Sequence, residues 1–597
     1  MKTVLKDWKN ILWLCKPYCK CAKLYLFLSA CVFTLRSPID DIIYVRSPEV
    51  MINLLSNGKS FSYIIGVAII ICTISFLNDV SLCVFHPYFT QKEESIKLKL
   101  NYEIYKKAVQ LDYKYIDSPT YYDNYAWAIQ EYAGQTKSAR EFMVDFLKNL
   151  MSITVLVSIV ASIDPWILLL EIGQMALHTA INTQMNKINI RKKQELIPLN
   201  RRLNYFQRLF YIKDYSADMK VTLLNKTIFD RFTEIGEKKV NVETRYAKTT
   251  AISGGVHDIL FVITEFIIML YLVNSIITGH IPEVGMYMTM MLAFYRLDSK
   301  LYAFVDLFKQ ANALSLDAEK IKAFFEMKSV IESDGQKCLE MDEGSLHGGN
   351  ISLELRNVSF SYENSDFALS NLNIRIKAGE KIAIVGENGA GKSTLMKLLL
   401  RLYDVQSGEI LINDRNIKTY NVQKLRSIIG VAFQNTNIYA MNLAENIAIY
   451  GHKSEKEISE IIERTGLNAI FEKNNIDSCA ELTREFDKNG VILSGGEAQK
   501  VALARVLNGE FGLLLLDEPS SALDPIAEFE MCQLILSTAN KATTIIVAHR
   551  LATIRNMDRI ILVDKGMIKE IGTHDELMQL QGKYFEMFSK QAQNYIN

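Results

Sequence analysis

Gly386-Glu387-Asn388-Gly389-Ala390-Gly391-Lys392-Ser393-Thr394 follows the apolar run Ile382-Ala-Ile-Val385 and opens a stretch with helical periodicity. A strand, a glycine-rich turn and a helix in that order make the phosphate-binding loop credible rather than accidental. The glycines let backbone N–H groups approach phosphate, Lys392 can reach the β and γ oxygens, and the Ser393 hydroxyl can ligate magnesium. Taken alone, this motif predicts nucleotide binding and nothing finer.

Working outward, the same half of the chain alternates β-rich runs, such as Leu513-Leu-Leu-Leu516 and Thr544-Ile-Ile-Val547, with helical stretches, which predicts an α/β sheet over residues 351–597. The run 513–516 ends in Asp517-Glu518. An acidic pair at a buried strand end suits magnesium at the first carboxylate and water at the second. His549 follows the run 544–548 and is placed in sequence to sense a γ-phosphate. A lone histidine is more often structural, and only its company argues otherwise.

The first half is different in kind. The chain has 597 residues, 49% hydrophobic, with 67 Lys+Arg against 67 Asp+Glu. The apolar residues crowd into 24–305, so one half belongs in lipid and the other in water. A net charge of zero gives no electrostatic case for nucleic acid, and so much apolar sequence excludes a disordered chain. Nine scattered cysteines argue against a disulfide framework. Cys15, Cys19 and Cys21 lack a second ligand pair at zinc spacing, so they read as a helix face.

A membrane helix needs about 20 mostly apolar residues. Six segments qualify, near 24–53, 61–86, 141–162, 165–183, 256–278 and 283–305. Arg36, Pro38, Asp40, Asp41 and Arg46 interrupt the first, whose outer half is therefore expected to face water or the bundle interior. Six lysines before residue 24, with Trp8 and Trp13 among them, predict an interfacial helix and a cytoplasmic N-terminus. The joint at Ile163-Asp164-Pro165 and that at 278–283 lack Lys and Arg, as outer turns should, whereas long charged stretches join spans 2 to 3 and 4 to 5. Both chain ends are then cytoplasmic. Among the ionisable residues inside spans (Glu171, His178, His257, Asp258, Glu265), Glu265 has the most apolar surroundings. It reads either as a substrate contact or as a carboxylate satisfied by a neighbouring helix.

With Leu493-Ser494-Gly495-Gly496-Glu497 preceding Asp517-Glu518-Pro519, the set of motifs resembles that of ATP-binding-cassette exporters, over nearly the whole chain. The resemblance implies a half-transporter: an α-helical six-span membrane domain (1–330), a linker (331–350) and an α/β P-loop ATPase domain of cassette type (351–597). It implies that Tyr362 stacks on adenine, that Gln434 joins Ser393 and Asp517 around magnesium, that Glu518 is the base or water-orienting carboxylate, and that His549 is the switch histidine. It implies further that Ser494, Gly495 and Gly496 close the ATP site of a second copy, or of a paralogous half-transporter, in a cell membrane. Glu497 stands where the family pattern most often has Gln. Leu111 to Asp123 and Arg201 to Lys226 are similar to the family's two coupling segments, and Ser521 to Asp524 to the loop after the acidic pair. The stretches 484–497 and 111–123 look most like those of bacterial peptide and bacteriocin exporters. The expected function is ATP-driven peptide export by alternating access. A lipid flippase and a multidrug exporter are the alternatives, and an ATP-gated channel or regulator is a more distant one.

Overall fold

A computed structural model describes residues 2–278, 284–331, 351–362, 367–451, 454–470, 480–519, 525–538, 542–551 and 553–596. The expected linker, apart from Ile331, and the loop 521–524 lie outside the described residues. The chain divides into two compact units, 1–107 with 126–326, and 108–125 with 327–597.

The first unit is helical. In chain order it holds α1 (Lys2–Cys21), α2 (Lys23–Ser56) and α3 (Phe61–Val109). A short α4 (Lys114–Asp117) belongs to the second unit and is followed by α5 (Pro119–Ile163) and α6 (Trp166–Tyr211). Next come α7 (Lys213–Val221), α8 (Leu224–Ile277) and α9 (Val284–Glu326). Each of the six expected membrane segments falls on one long helix, from α2 to α9, except that Pro165 and Thr278 flank their helices and residue 283 lies outside the described residues. Among the described residues, α3, α8 and the 124–163 portion of α5 are long and apolar enough to cross a bilayer alone, and a fourth span is added if α1 and α2, bent by 116° at their junction, count as one. The shortfall in α2, α6 and α9 has a physical cause, since these helices carry ionisable groups that the unit takes inside. Asp41 is only 1% exposed and faces Lys300 at 3.5 Å and Arg296 at 3.9 Å, while Asn78 donates to Asp40 at 2.6 Å. Within the interrupted half of the first segment Asp41 thus turns toward the bundle interior, whereas Asp40 and Arg46 stay partly exposed.

The second unit is built on two sheets. An antiparallel one has the order β2-β1-β4-β5, from β1 (Leu353–Ser361), β2 (Phe367–Ile376), β4 (Ser407–Ile412) and β5 (Arg415–Asn416). The other contains β3 (Lys381–Val385), β6 (Ile429–Ala432), β7 (Leu513–Asp517), β8 (Thr543–Val547), β9 (Arg559–Asp564) and β10 (Met567–Gly572), in the order β10-β9-β3-β8-β7-β6. Its strands are parallel except β10 against β9. The apolar runs make strands because both faces are buried. Leu513 and Leu515 enter one core with Ile382 and Ile384, and Leu514 and Leu516 enter the other with Ala383 and Val385. Register then decides the site: Ile384 lies beside Val547, and Val547 beside Asp517. Three loops therefore leave the same edge of the sheet side by side, where such folds place ligands.

Residues 108–125 pack with this unit. Buried Asp112 accepts hydrogen bonds from the backbone N–H groups of Val330 (3.0 Å) and Ile331 (3.1 Å), and Asp117 accepts from Tyr403 (2.5 Å) and Lys397 (3.2 Å). The expected first coupling segment is thus stapled to the α/β unit by two carboxylates.

Candidate nucleotide site

The loop 386–391 turns sharply between β3 and the helix α10 (Lys392–Leu399). Gly391 has φ +103°, and a Cβ there would come within 2.6 Å of the Ala368 carbonyl oxygen, so glycine is required both for the left-handed turn and for space. Lys392 is 6% exposed and its Nζ donates to the carbonyls of Gly386 (2.8 Å) and Glu387 (3.0 Å), curling over the loop it serves. Burial lowers its pKa from the ordinary lysine range, with the charges of Glu518 and Asp517 opposing that shift.

At the end of β7, Glu518 adopts φ +48° with its N–H bonded to Val547 at 2.9 Å. A non-glycine residue held in that region marks stored backbone strain of the kind found at functional sites. The turn aims the carboxylate at two partners: Oε1 lies 2.6 Å from His549 Nε2 and Oε2 accepts from Gln434 Nε2 at 2.8 Å. Asp517 is 8% exposed. Burial, reinforced by the neighbouring Glu518 charge, pushes its carboxyl above the ordinary aspartate range, against a hydrogen bond from Ser393. Tyr362 is fixed by edge-on contacts with Phe360 and Tyr403 and by its hydroxyl, 3.2 Å from Thr394 Oγ1.

Tyr362, Asn388, Gly389, Gly391, Lys392, Ser393, Thr394, Gln434, Glu518 and His549 line one cleft of about 660 Å³, large enough for a nucleotide. Of the other expected residues, Gly386, Ala390 and Asp517 do not line the cleft, though Gly386 and Asp517 neighbour Lys392 and Ser393, which do, and Glu387 turns outward to Lys583 at 3.1 Å. Ser494, Gly495, Gly496 and Glu497 lie outside the cleft, where Ser494 caps the helix Gly495–Leu507. Glu497 accepts from the Ser494 N–H at 2.7 Å and hydroxyl at 2.8 Å, so the residue that departs from the family pattern closes a capping box. The S-x-x-E spacing was a sequence signal for it. Glu265 in α8 accepts a hydrogen bond from the Tyr295 hydroxyl on α9.

Residues 369–521 match the family model described as ABC transporter. Over 99% of this chain and 96% of its own length, the subtilin transport ATP-binding protein of Bacillus subtilis is 28% identical. The chain thus carries an ABC transporter cassette behind a helical domain, the layout of a half-transporter. That cassette is the ATPase part of a transport protein. A solved bacterial Atm1-family ABC exporter with ATP bound has the same fold, with a TM-score of 0.74 at 20% identity, covering 95% of this chain and 98% of that one. The ATP-dependent lipid A-core flippase of Shigella sonnei is 35% identical, but over 44% of this chain and 45% of its own length.

Proposed function

We propose that two copies of this chain form a six-plus-six-span exporter in the cell membrane, with all termini cytoplasmic, and that its cargo is a peptide. The observation that carries the cargo is the end-to-end match to a subtilin transport protein, since the flippase match covers less than half of either chain. The pairing is supported by the signature residues 494–496, which sit outside their own chain's cleft and are left to serve another. It is supported as well by the apolar surface around α7, where Tyr211, Val221 and Leu223 are 74%, 85% and 82% exposed.

In this reading adenine lies on Tyr362, the loop 386–391 and Lys392 hold the phosphates, and Ser494 and the helix N-terminus behind it cap the γ-phosphate from the opposing copy. Loss of that phosphate then favours opening, and the coupling segment held by Asp112 and Asp117 carries the motion to the membrane helices. Ser393, Gln434 and Asp517 fit magnesium, because the buried Asp517 carboxylate has a charge to be balanced and a hydroxyl stands beside it. The ion would neutralise charge on the β and γ oxygens. Glu518, fixed between His549 and Gln434, orients and deprotonates the attacking water, and His549 keeps its geometry. Glu265, with Tyr295, is assigned to the cargo path on α8.

The test is ATPase activity of the purified chain in lipid nanodiscs across panels of cationic peptides, lipids and hydrophobic drugs. Stimulation by peptides is expected. Stimulation by lipids alone would replace the peptide reading with a flippase.

A further inference from the structure

His549 stands between Ala548 and Leu551, which are buried in the core, but its own side chain and that of Arg550 are not. Behind Glu518 and His549 lies a second cavity of about 190 Å³, bordered by Glu528, Cys532, Arg550 and Met557, and the His549 side chain is itself 40% exposed. Between those core residues the path of the backbone over the cavity is set by polar contacts. Arg550 pairs with Glu528, and the C-terminal helix Lys583–Ile596 supplies the hydrogen bonds to the backbone on either side. Gln591 donates through Nε2 to the His549 carbonyl at 2.7 Å and accepts through Oε1 from the Leu551 N–H at 2.9 Å. One amide therefore spans the loop from both sides.

The helix is anchored well enough to act as a strut. Tyr584 is fully buried, and its hydroxyl lies 2.9 Å from His574 Nδ1. Glu570 accepts from the N–H groups of Lys583 (2.6 Å) and Tyr584 (3.0 Å), which satisfies two of the free donors at the helix start. Lys583 also pairs with Asp564 at 2.9 Å and with Glu387 of the phosphate loop at 3.1 Å. One helix thus touches the phosphate loop at its beginning and the histidine loop two turns later.

We propose that Gln591 is a positioning residue for hydrolysis, holding residues 549–551 so that His549 meets Glu518, and that the C-terminal helix ties this loop to the phosphate loop. The proposal rests on His549 acting in hydrolysis as described above. Gln591→Glu is the discriminating substitution. It preserves shape and the acceptor for Leu551, removes the donor to the His549 carbonyl and sets two oxygens against each other.

The experiment measures steady-state ATPase, nucleotide affinity and melting temperature of the full chain in nanodiscs for Gln591→Glu, Gln591→Ala, His549→Ala and the double variant Gln591→Glu/His549→Ala. Lys590→Gln controls for the charge change on the helix. The expected result is a fall in kcat of roughly tenfold or more for both Gln591 variants, with KM for ATP and nucleotide affinity unchanged. Lys590→Gln should match the unaltered chain, and Gln591→Glu should have no further effect once His549 is Ala. A kcat within about twofold for both Gln591 variants, or a Gln591→Glu effect undiminished in the His549→Ala background, overturns the proposal. If His549→Ala hydrolyses ATP normally, the reading of the site itself is wrong. The two failures are therefore distinguishable.

Discussion

Replacing Glu518 by Gln changes one atom of a carboxylate that two neighbours have already fixed in place, 2.6 Å from His549 and 2.8 Å from Gln434. The amide has the same shape and keeps one oxygen as an acceptor, but it cannot take a proton from water. General-base catalysis contributes about a hundred- to ten-thousand-fold, so hydrolysis should fall by that range, equivalent to about 3–5 kcal/mol of barrier. Nothing that binds ATP is removed, because Lys392, Tyr362 and the loop glycines are untouched. Folding should not suffer either. The Glu518 charge is one of the influences raising the pKa of buried Asp517, and neutralising it relieves a like-charge contact. The assay is phosphate release in nanodiscs at saturating ATP, with fluorescent-nucleotide binding and a melting curve on the same preparation. The expected outcome is near-zero turnover, unchanged affinity and a melting temperature equal to or above that of the unaltered chain. Turnover within a few-fold of normal would refute the role of Glu518, and lost affinity would refute the separation of binding from chemistry.

Lys392→Ala should act earlier, weakening nucleotide binding as well as turnover, and unchanged affinity would count against the loop assignment. Asp112→Ala strips the acceptors from the N–H groups of exposed Val330, which can turn to water, and of buried Ile331, whose lost partner costs about 1–3 kcal/mol. A lowered melting temperature with intact ATP affinity is expected. His574 gives a pH dependence. Burial, with the Arg555 charge adding to it, lowers its pKa below the ordinary histidine value. The stability it supports is therefore present above about pH 6.5 and lost as pH falls through the lowered folded value. Melting curves should show the C-terminal unit losing stability on acidification, and His574→Gln should shrink that loss.

The nucleotide site was legible because its chemistry is local. A glycine turn after an apolar strand, or an acid pair at the end of one, specifies its own backbone geometry within a few residues. Glu497 was read only as a departure, although the S-x-x-E spacing from Ser494 also carried the signal of a cap. What sequence could not give are the partners that folding brings from afar. Gln591 sits in an ordinary polar helix and meets His549 across 42 positions, and Asp112 meets Val330 across 218. Neither pair has a motif. The membrane half shows the same limit, for composition located the charges of α2 but could not tell that Asp41 would turn inward to Lys300 on α9.

The central claim is that each ATP site is completed by the signature of a second copy of this chain. It is tested most directly by mixing two inactive variants, Lys392→Ala, which keeps its signature, and Ser494→Arg, which keeps its phosphate loop, and co-reconstituting them. In a mixed pair one composite site is intact, so ATP hydrolysis absent from either variant alone should reappear in the mixture. If the mixture stays as inactive as its components while the unaltered chain hydrolyses ATP under the same conditions, the sites are not shared between two copies in this way.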